Sequence, residues 1–200
     1  MNSPLWTPSE QRITQSAMDR FRRGINAQYG LDLADFAALH QWSVTERASF
    51  WQAVAATFDV RFHTPPTSIV EEGPAMPGGR WFAGATLNFA EHLLRRRDEH
   101  PALVAVAEDG GREVISYAQL AAHVAGLQRA MKDAGISSGD RVAAFMPNTW
   151  QTVAGMLAAS SLGAIWSSCS PDFGTQGVID RFGQIEPVLL IASYPPCAAG

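Results

Sequence analysis

Residues 139–191, GDRVAAFMPNTWQTVAGMLAASSLGAIWSSCSPDFGTQGVIDRFGQIEPVLLI, decide the fold. Three short apolar runs, 142–146, 164–168 and 188–192, are separated by two stretches of helical length. Strands alternating with helices form βαβ units, in which parallel strands are joined by helices packed on the sheet. Each run is nearly continuously apolar, as expected where both faces of a parallel sheet are covered. Residues 169–174, CSPDFG, leave the carboxyl end of the middle strand, where open α/β sheets place their ligands.

Upstream of this stretch, 102–108 and 112–116 flank Asp109-Gly110-Gly111 and read as a β-hairpin. Ser116-Tyr117-Ala118-Gln119 is a capping box. Leu120, Val124, Leu127 and Met131 form the buried stripe of the helix that follows, and Gly135 ends it. Residues 137–140 turn the chain into the first parallel strand. Asn148 can cap the next helix and Gly163 can end it. Residues 175–185 form the last helix and 188–192 the last strand.

The first hundred residues read as mostly helical. Thr7-Pro8-Ser9-Glu10 is a capping box with proline at the first helical position, and Ile13, Ala17, Phe21 and Ile25 continue one helix to Gly30. Residues 31–39 form a shorter helical piece. Ser43-Val44-Thr45-Glu46 is a further capping box before Phe50, Trp51, Val54 and Phe58. Those aromatics are a buried face, each worth about 1.5–3 kcal/mol when fully covered, or a ligand platform. Residues 63–79, with four prolines and three glycines, read as an irregular connection carrying one loop histidine, His63. Trp81, Phe82, Leu87, Phe89, Ala90, Leu93 and Leu94 suggest a helix ending near Arg97, with Arg95-Arg96-Arg97 at the negative end of its dipole. Glu91 and His92 face different ways on that helix and are not a catalytic pair. The expected class is α/β: an N-terminal helical region (1–98), then a hairpin and βαβ units of a mostly parallel sheet (99–192), then an atypical tail (193–200).

Composition narrows the functions. The 200 residues are 46% hydrophobic and 17% charged with net charge −4, ordinary for a globular chain. There is no basic stripe to suggest nucleic-acid binding and no apolar run near the roughly 18 residues of a membrane span. The N-terminus carries no secretory pattern. Two cysteines, Cys169 and Cys197, make no disulfide framework, which suits the reducing cytoplasm. Lys132 is the only lysine and falls on the solvated side of its helix. A lysine for phosphate must therefore come from elsewhere.

The common catalytic constellations are missing. No GxxxxGK loop, no GxGxxG after a strand, no HExxH and no paired CxxC occurs. A Cys169 nucleophile would need a histidine base, and none of the five histidines can be placed beside it. A small apolar cysteine at a strand end is the simpler reading. No metal ligands are expected either. From its residues alone, the chain is an α/β domain with a ligand-suited loop at a strand end.

Several segments, in order, resemble the adenylate-forming (AMP-forming) acyl-CoA synthetases. They are PLWTPS from Pro4, LHQWSV from Leu39, FW at Phe50-Trp51, WFAGATLNFAEHLL from Trp81, ISYAQL from Ile115, GDRVAAFMPN from Gly139, GAIWSSCSPDFG from Gly163 and VIDRFGQIEP from Val178. The SSCSPDFG and RFGQIEP segments are similar to the acetoacetate–CoA ligases of that family. The resemblance runs from residue 4 to about 192 and implies an incomplete adenylate-forming N-terminal domain. It implies a two-step ligase using ATP, Mg²⁺ and CoA. A carboxylate, acetoacetate (or acetate or propionate as the alternative), displaces pyrophosphate from ATP, and the CoA thiolate then displaces AMP. In related acetyl-CoA synthetases, the loop matching Ser170, Pro171 and Asp172 lies against the adenine-nucleotide end of CoA. The resemblance therefore assigns these three residues a CoA contact. Those relatives carry an aromatic and glycines where this chain has proline and aspartate, so Asp172 either touches ligand or caps the next helix.

The resemblance assigns no catalytic residue to these 200. The Ser/Thr/Gly-rich phosphate loop with its lysine, the residues that hold adenine and ribose, and the lysine-bearing C-terminal domain are not among them. The expectation is an inactive N-terminal piece, whose partner is the missing C-terminal part of the same enzyme. The two prolines after the last strand, in SYPPCAAG, fit such a truncation. The alternative is a stand-alone, non-catalytic domain that binds a nucleotide or a protein.

Overall fold

The computed structural model describes residues 5–71, 73, 78–107 and 109–193, and the chain divides into two compact units, Met1–Leu87 and Asn88–Gly200. The first unit contains α1 (Glu10–Thr14), α2 (Ala17–Tyr29), α3 (Phe36–Thr45), α4 (Arg47–Thr57), β1 (Ser68–Glu71) and β2 (Arg80–Ala83). The single helix expected from Thr7 to Gly30 is two. Ser9, not Thr7, caps α1, and the Ser16 hydroxyl accepts the Asp19 N–H at 3.1 Å to begin α2. A serine that can cap competes with continued helix, so the chain restarts there. Gly30 ends α2 in the left-handed conformation, as expected.

The helix expected over 31–39 and the capping box at 43–46 are also corrected. Asp35 caps α3 by accepting the Ala38 N–H at 2.8 Å. α3 then runs on through Thr45, and its Ser43 and Thr45 hydroxyls donate back to the carbonyls of His40 (2.8 Å) and Gln41 (3.2 Å). Once Asp35 has nucleated the helix, these hydroxyls are satisfied within it and start nothing new. α4 follows Glu46 without a side-chain cap.

Ile25, Leu39, Trp42 and Ala53 form the core of this unit, with Phe21, Tyr29 and Phe50 packed on them. Phe50 meets Phe21 and Trp42 edge to face, at 5.9 Å and 6.1 Å. It therefore packs on the core, whereas Trp51 (41% exposed) and Phe58 (61%) do not share the buried face expected of all three aromatics. Residues 63–79 are not wholly irregular, because β1 pairs antiparallel with β2, Val70 opposite Trp81. Trp81 and Phe82 lie in that strand and do not lead a helix.

The second unit contains α5 (Phe89–Leu93), β3 (Pro101–Val106), β4 (Arg112–Ser116), α6 (Tyr117–Asp133), β5 (Arg141–Phe145), α7 (Trp150–Ser161), β6 (Ile165–Cys169), α8 (Thr175–Phe182) and β7 (Leu189–Ala192). β3 and β4 form the expected hairpin; Glu108, placed in its first strand from sequence, lies outside the described residues. The Ser116–Gln119 capping box is complete, with reciprocal bonds of 3.1 and 2.8 Å. Leu120, Val124 and Met131 are buried along α6 and Leu127 is half-buried.

α5 stops well short of Arg97. The carbonyls of Asp98 and His100 are needed at the start of α6, where they accept the N–H groups of Ala118 (2.9 Å) and Tyr117 (3.0 Å). Arg95-Arg96-Arg97 thus lies outside the helix. Arg96 pairs with Asp98 at 2.8 Å and stands over the Tyr117 ring.

β5, β6 and β7 make a parallel sheet in the order β6-β5-β7. Val142 aligns with Trp166 and Leu189, and Phe145 with Cys169 and Ala192. Val142, Ala143 and Ala144 are all 0% exposed. Val142, Trp166, Leu189 and Ile191 pack with the residues of α6 and α7, including Leu157 and Ala158. Ala143, Phe145 and Cys169 pack on the other face with Val178 and Phe182 of α8 and with Ile185 beyond its end. Full coverage of both faces, expected of all three strands, therefore holds only for β5. Ile165 of β6 and Leu190 of β7 remain 54% and 53% exposed, because α8 is one short helix of eight residues, ending at Phe182 and not at Ile185.

Asn88 ties two helices of this unit together. Its side-chain oxygen accepts the Glu91 N–H at 3.1 Å and caps α5. Its amide nitrogen donates to the carbonyls of Ser160 (3.2 Å) and Ser161 (3.3 Å) at the end of α7. Asn88→Ala removes a cap and leaves two helix-end carbonyls without their donor, a loss of about 1–2 kcal/mol. It should lower the urea midpoint of the second unit and speed amide exchange in α5, while Asn88→Asp, which keeps the cap, should lose less.

In the first unit Asp19 is 8% exposed and pairs with Arg22 (2.6 Å) and Arg23 (2.8 Å). The hydrogen bond from Arg22 holds its carboxyl below the usual range, against the opposing effect of burial and with help from the Arg23 charge. A depressed folded pKa gives stability that is present above the unfolded value, about 3.9, and is lost as pH falls through the lower folded value. Asp19→Asn should therefore destabilise the first unit at neutral pH and flatten the acid limb of its unfolding profile below about pH 4, as read by circular dichroism.

Candidate functional site

The strand order locates the candidate site. From β5 the chain crosses to β6 on one side, and from β6 it crosses back past β5 to β7. Right-handed crossovers in opposite directions put their helices on opposite faces of the sheet. The two core clusters have this arrangement, α7 on one face and α8 on the other. The loops leaving β5 (146–149) and β6 (170–174) therefore diverge from neighbouring strand ends, and such a switch point opens a crevice suited to a ligand. The Met146 N–H donates to the Cys169 carbonyl at 3.2 Å across the foot of this crevice.

On the β5 side, Thr149 and not Asn148 stands at the cap position of α7, without a side-chain cap bond. Thr152 reaches back from the first turn, its hydroxyl donating to the Pro147 carbonyl at 2.7 Å. That bond fixes the loop from within the helix and leaves Asn148 no capping role.

On the β6 side, Ser170, Pro171 and Asp172 form one tight turn. The Ser170 hydroxyl donates to the Asp172 carboxylate at 2.6 Å, and the Phe173 N–H donates to the Ser170 carbonyl at 3.2 Å. Asp172 is exposed and is not the cap of the next helix. Gly174, extended at φ −60 and ψ 165, occupies that position and supplies no side-chain bond. The Ser170 hydroxyl has already engaged the Asp172 carboxylate, and α8 starts three residues after Asp172, at Thr175. The first backbone N–H groups of α8 thus emerge beside the turn without a side-chain cap, with the positive end of the helix dipole. Cys169 is buried against Ala143 and Phe182, as a small apolar residue.

Sequence reasoning missed one pair at this site. The Arg181 guanidinium lies over the Phe173 ring, 3.8 Å from its centre. No spacing rule marked it, because Phe173 lies before the cap residue Gly174, and the Arg181 side chain reaches back past Gly177 to meet it.

No group of three or more His, Cys, Asp or Glu among the described residues is placed to hold a metal ion. Lys132 is exposed in the last turn of α6, which leads through 134–140 into the amino end of β5. It stands at the edge of the sheet opposite the crevice. A recess of about 210 Å³ on the α7 side is lined by Leu127, Met146, Trp150 and Ile191, with His123 and Gln151 as its polar side chains, and has no lysine or arginine in its wall. Among the described residues no helix is long and apolar enough to cross a membrane.

Comparison with known proteins fits this geometry. The family model described as "AMP-binding enzyme" matches residues 89–199, and that described as "Acetyl-coenzyme A synthetase N-terminus" matches 36–93. The chain is 46% identical over 188 residues to the acetoacetyl-coenzyme A synthetase of Rhizobium meliloti (strain 1021), covering 94% of this chain and 29% of that protein. It is 39% identical to the acetoacetyl-CoA synthetase of Xenopus tropicalis, with 94% and 28% covered. The solved acetoacetyl-CoA synthetase from Streptomyces lividans superposes with a TM-score of 0.89 at 44% identity, over 96% of this chain and 30% of that one. The chain thus spans under a third of the length of the relatives it matches. The AMP-binding match takes in more than half of its residues, and the chain belongs to the AMP-binding enzyme family.

Proposed function

We propose that the chain is the amino-terminal portion of an acetoacetate–CoA ligase, and that its Ser170–Pro171–Asp172 turn rests against the nucleotide end of CoA. The observation that carries this is the position of the turn: it stands at the switch-point crevice of a parallel sheet, in a chain 46% identical to an acetoacetyl-coenzyme A synthetase. In such a ligase the carboxylate attacks the α-phosphorus of ATP and pyrophosphate leaves. The CoA thiolate then attacks the acyl carbon and AMP leaves. Within these 200 residues the work is binding and orientation. The turn and the uncapped start of α8 present backbone donors to a phosphate-bearing ligand. Acetoacetate, in preference to acetate or propionate, is carried over from the relatives' names. The corresponding partner is the remainder of a ligase of this kind.

An independent nucleotide- or protein-binding domain is the second reading. The outer side of β7 weighs against it. Among the described residues no strand pairs with that side, and Val188 (58%) and Leu190 (53%) beside it are exposed, which suits a sheet that accepts a further strand better than one that stands alone.

This reading puts the adenylation chemistry outside these residues; in its support, their one lysine, Lys132, is exposed in the last turn of α6, which leads into the amino end of β5. The purified chain should show no acetoacetate-dependent exchange of labelled pyrophosphate into ATP. Exchange above the buffer background would overturn this placement.

A further inference from the structure

We infer that Arg181, held in place by Phe173, is a phosphate-binding residue of the crevice and takes a phosphate group of CoA. The inference rests on the reading of the Ser170–Asp172 turn as a CoA contact, and extends it to two residues that neither the motif nor its spacing marks. Phe173 directly follows the turn, and the Arg181 guanidinium stacks on its ring at 3.8 Å. The stack lies over Gly177 of α8: a Cβ there would stand 3.5 Å from Arg181 Nη1 and 3.6 Å from Phe173 Cδ1, in ordinary contact with both.

The stack leaves the guanidinium oriented but electrically uncompensated. Its one hydrogen bond is a long one, 3.4 Å, from Nη1 to the Gly177 carbonyl. No described carboxylate pairs with it. Asp180, the neighbouring acid, accepts from Gln176 Nε2 at 2.7 Å. Asp172, the acid of the turn, takes the Ser170 hydroxyl at 2.6 Å. Both local carboxylates are thus turned to other donors, while Arg181 is exposed. A guanidinium presents a planar fork of N–H donors that matches phosphate oxygens in pairs. Stacking restricts its rotamers beforehand, so less freedom is lost when an anion docks. The uncapped first turn of α8 adds positive potential on the same side of the turn.

CoA carries two phosphate sources, the ribose 3′-phosphate and the diphosphate, and either presents the chemistry that Arg181 would meet. Calorimetric titration of the purified chain with CoA and with 3′-dephospho-CoA separates them. Wild type should bind CoA saturably, Arg181→Gln about tenfold more weakly, and Arg181→Lys between the two, because it keeps charge but not the fork. Phe173→Leu should weaken binding by a smaller factor, by releasing the guanidinium. Thermal unfolding should be unchanged in Arg181→Lys, which serves as the folding control. An Arg181→Gln deficit that disappears with 3′-dephospho-CoA assigns the 3′-phosphate; one that persists assigns the diphosphate. Equal affinities of wild type and Arg181→Gln for both ligands would overturn the role of Arg181 and leave the turn as a CoA contact. Absence of saturable binding to the wild-type chain would overturn the CoA reading of the turn, and this inference with it.

Discussion

Burial of β5 on both faces and along both edges is the constraint from which the second unit follows. Val142, Ala143 and Ala144 have no exposed surface, and β6 and β7 pair with the two sides of the same strand. A strand so enclosed must have helices above and below it. α7 comes close on one face because Gly155 has no side chain: a Cβ there would lie 3.0 Å from the Trp166 ring. The other face is left to α8. With the helices on opposite faces, the loops at the carboxyl ends of β5 and β6 must part, and the crevice is a by-product of that packing. The site is thus a consequence of where the core residues lie, before any functional side chain is considered.

Several short polar side chains do double duty at helix ends, and these joints set the geometry around the sheet. Asn88 caps α5 and also supplies donors to the last carbonyls of α7. Gln119 and Ser116 exchange bonds at the start of α6, while the carbonyls of Asp98 and His100 meet its next N–H groups. Each joint satisfies backbone groups that a helix cannot satisfy for itself. A helix end fixed in this way cannot slide along the sheet without leaving unpaired donors or acceptors, so strand ends and their loops inherit defined positions.

The sequence was most legible where one local rule acted without competition. The hairpin, the Ser116–Gln119 box and the three parallel strands were all visible, because alternation, capping spacing and apolar runs coincide with element boundaries there. It was least legible where several polar residues offered competing caps. Ser9, Ser16, Asp35 and Ser43 all have the chemistry of an N-cap, and only packing of Phe21, Leu39, Trp42 and Phe50 into one core decides between them. Ser43 lost this competition and became an interior helix residue. The turn at Ser170 was found as a strand-end loop, but Asp172 was not separable into ligand contact or cap by spacing alone. Its carboxylate takes the Ser170 hydroxyl, an arrangement that depends on the local fold of the turn. The Phe173–Arg181 stack was missed because it links a loop residue to a helix residue, and hydrophobic periodicity describes each without describing their meeting.

The electrostatics of the crevice follow from these local attachments. Two carboxylates and one guanidinium lie near the start of α8, and each is engaged by a neighbour: Asp172 by Ser170, Asp180 by Gln176 and Arg181 by Phe173. Had Arg181 paired with either carboxylate, an anion would have to break an ion pair to bind. Held apart, the Asp172 carboxylate accepts the Ser170 hydroxyl, while the guanidinium keeps donors free. The uncapped N–H groups of α8 lie on the same side and have the same sign. The guanidinium and the uncapped N–H groups thus offer donors at the carboxyl end of β6, where the topology opens a crevice. An anionic ligand arriving there meets donors already oriented, and little further reorganisation opposes its binding.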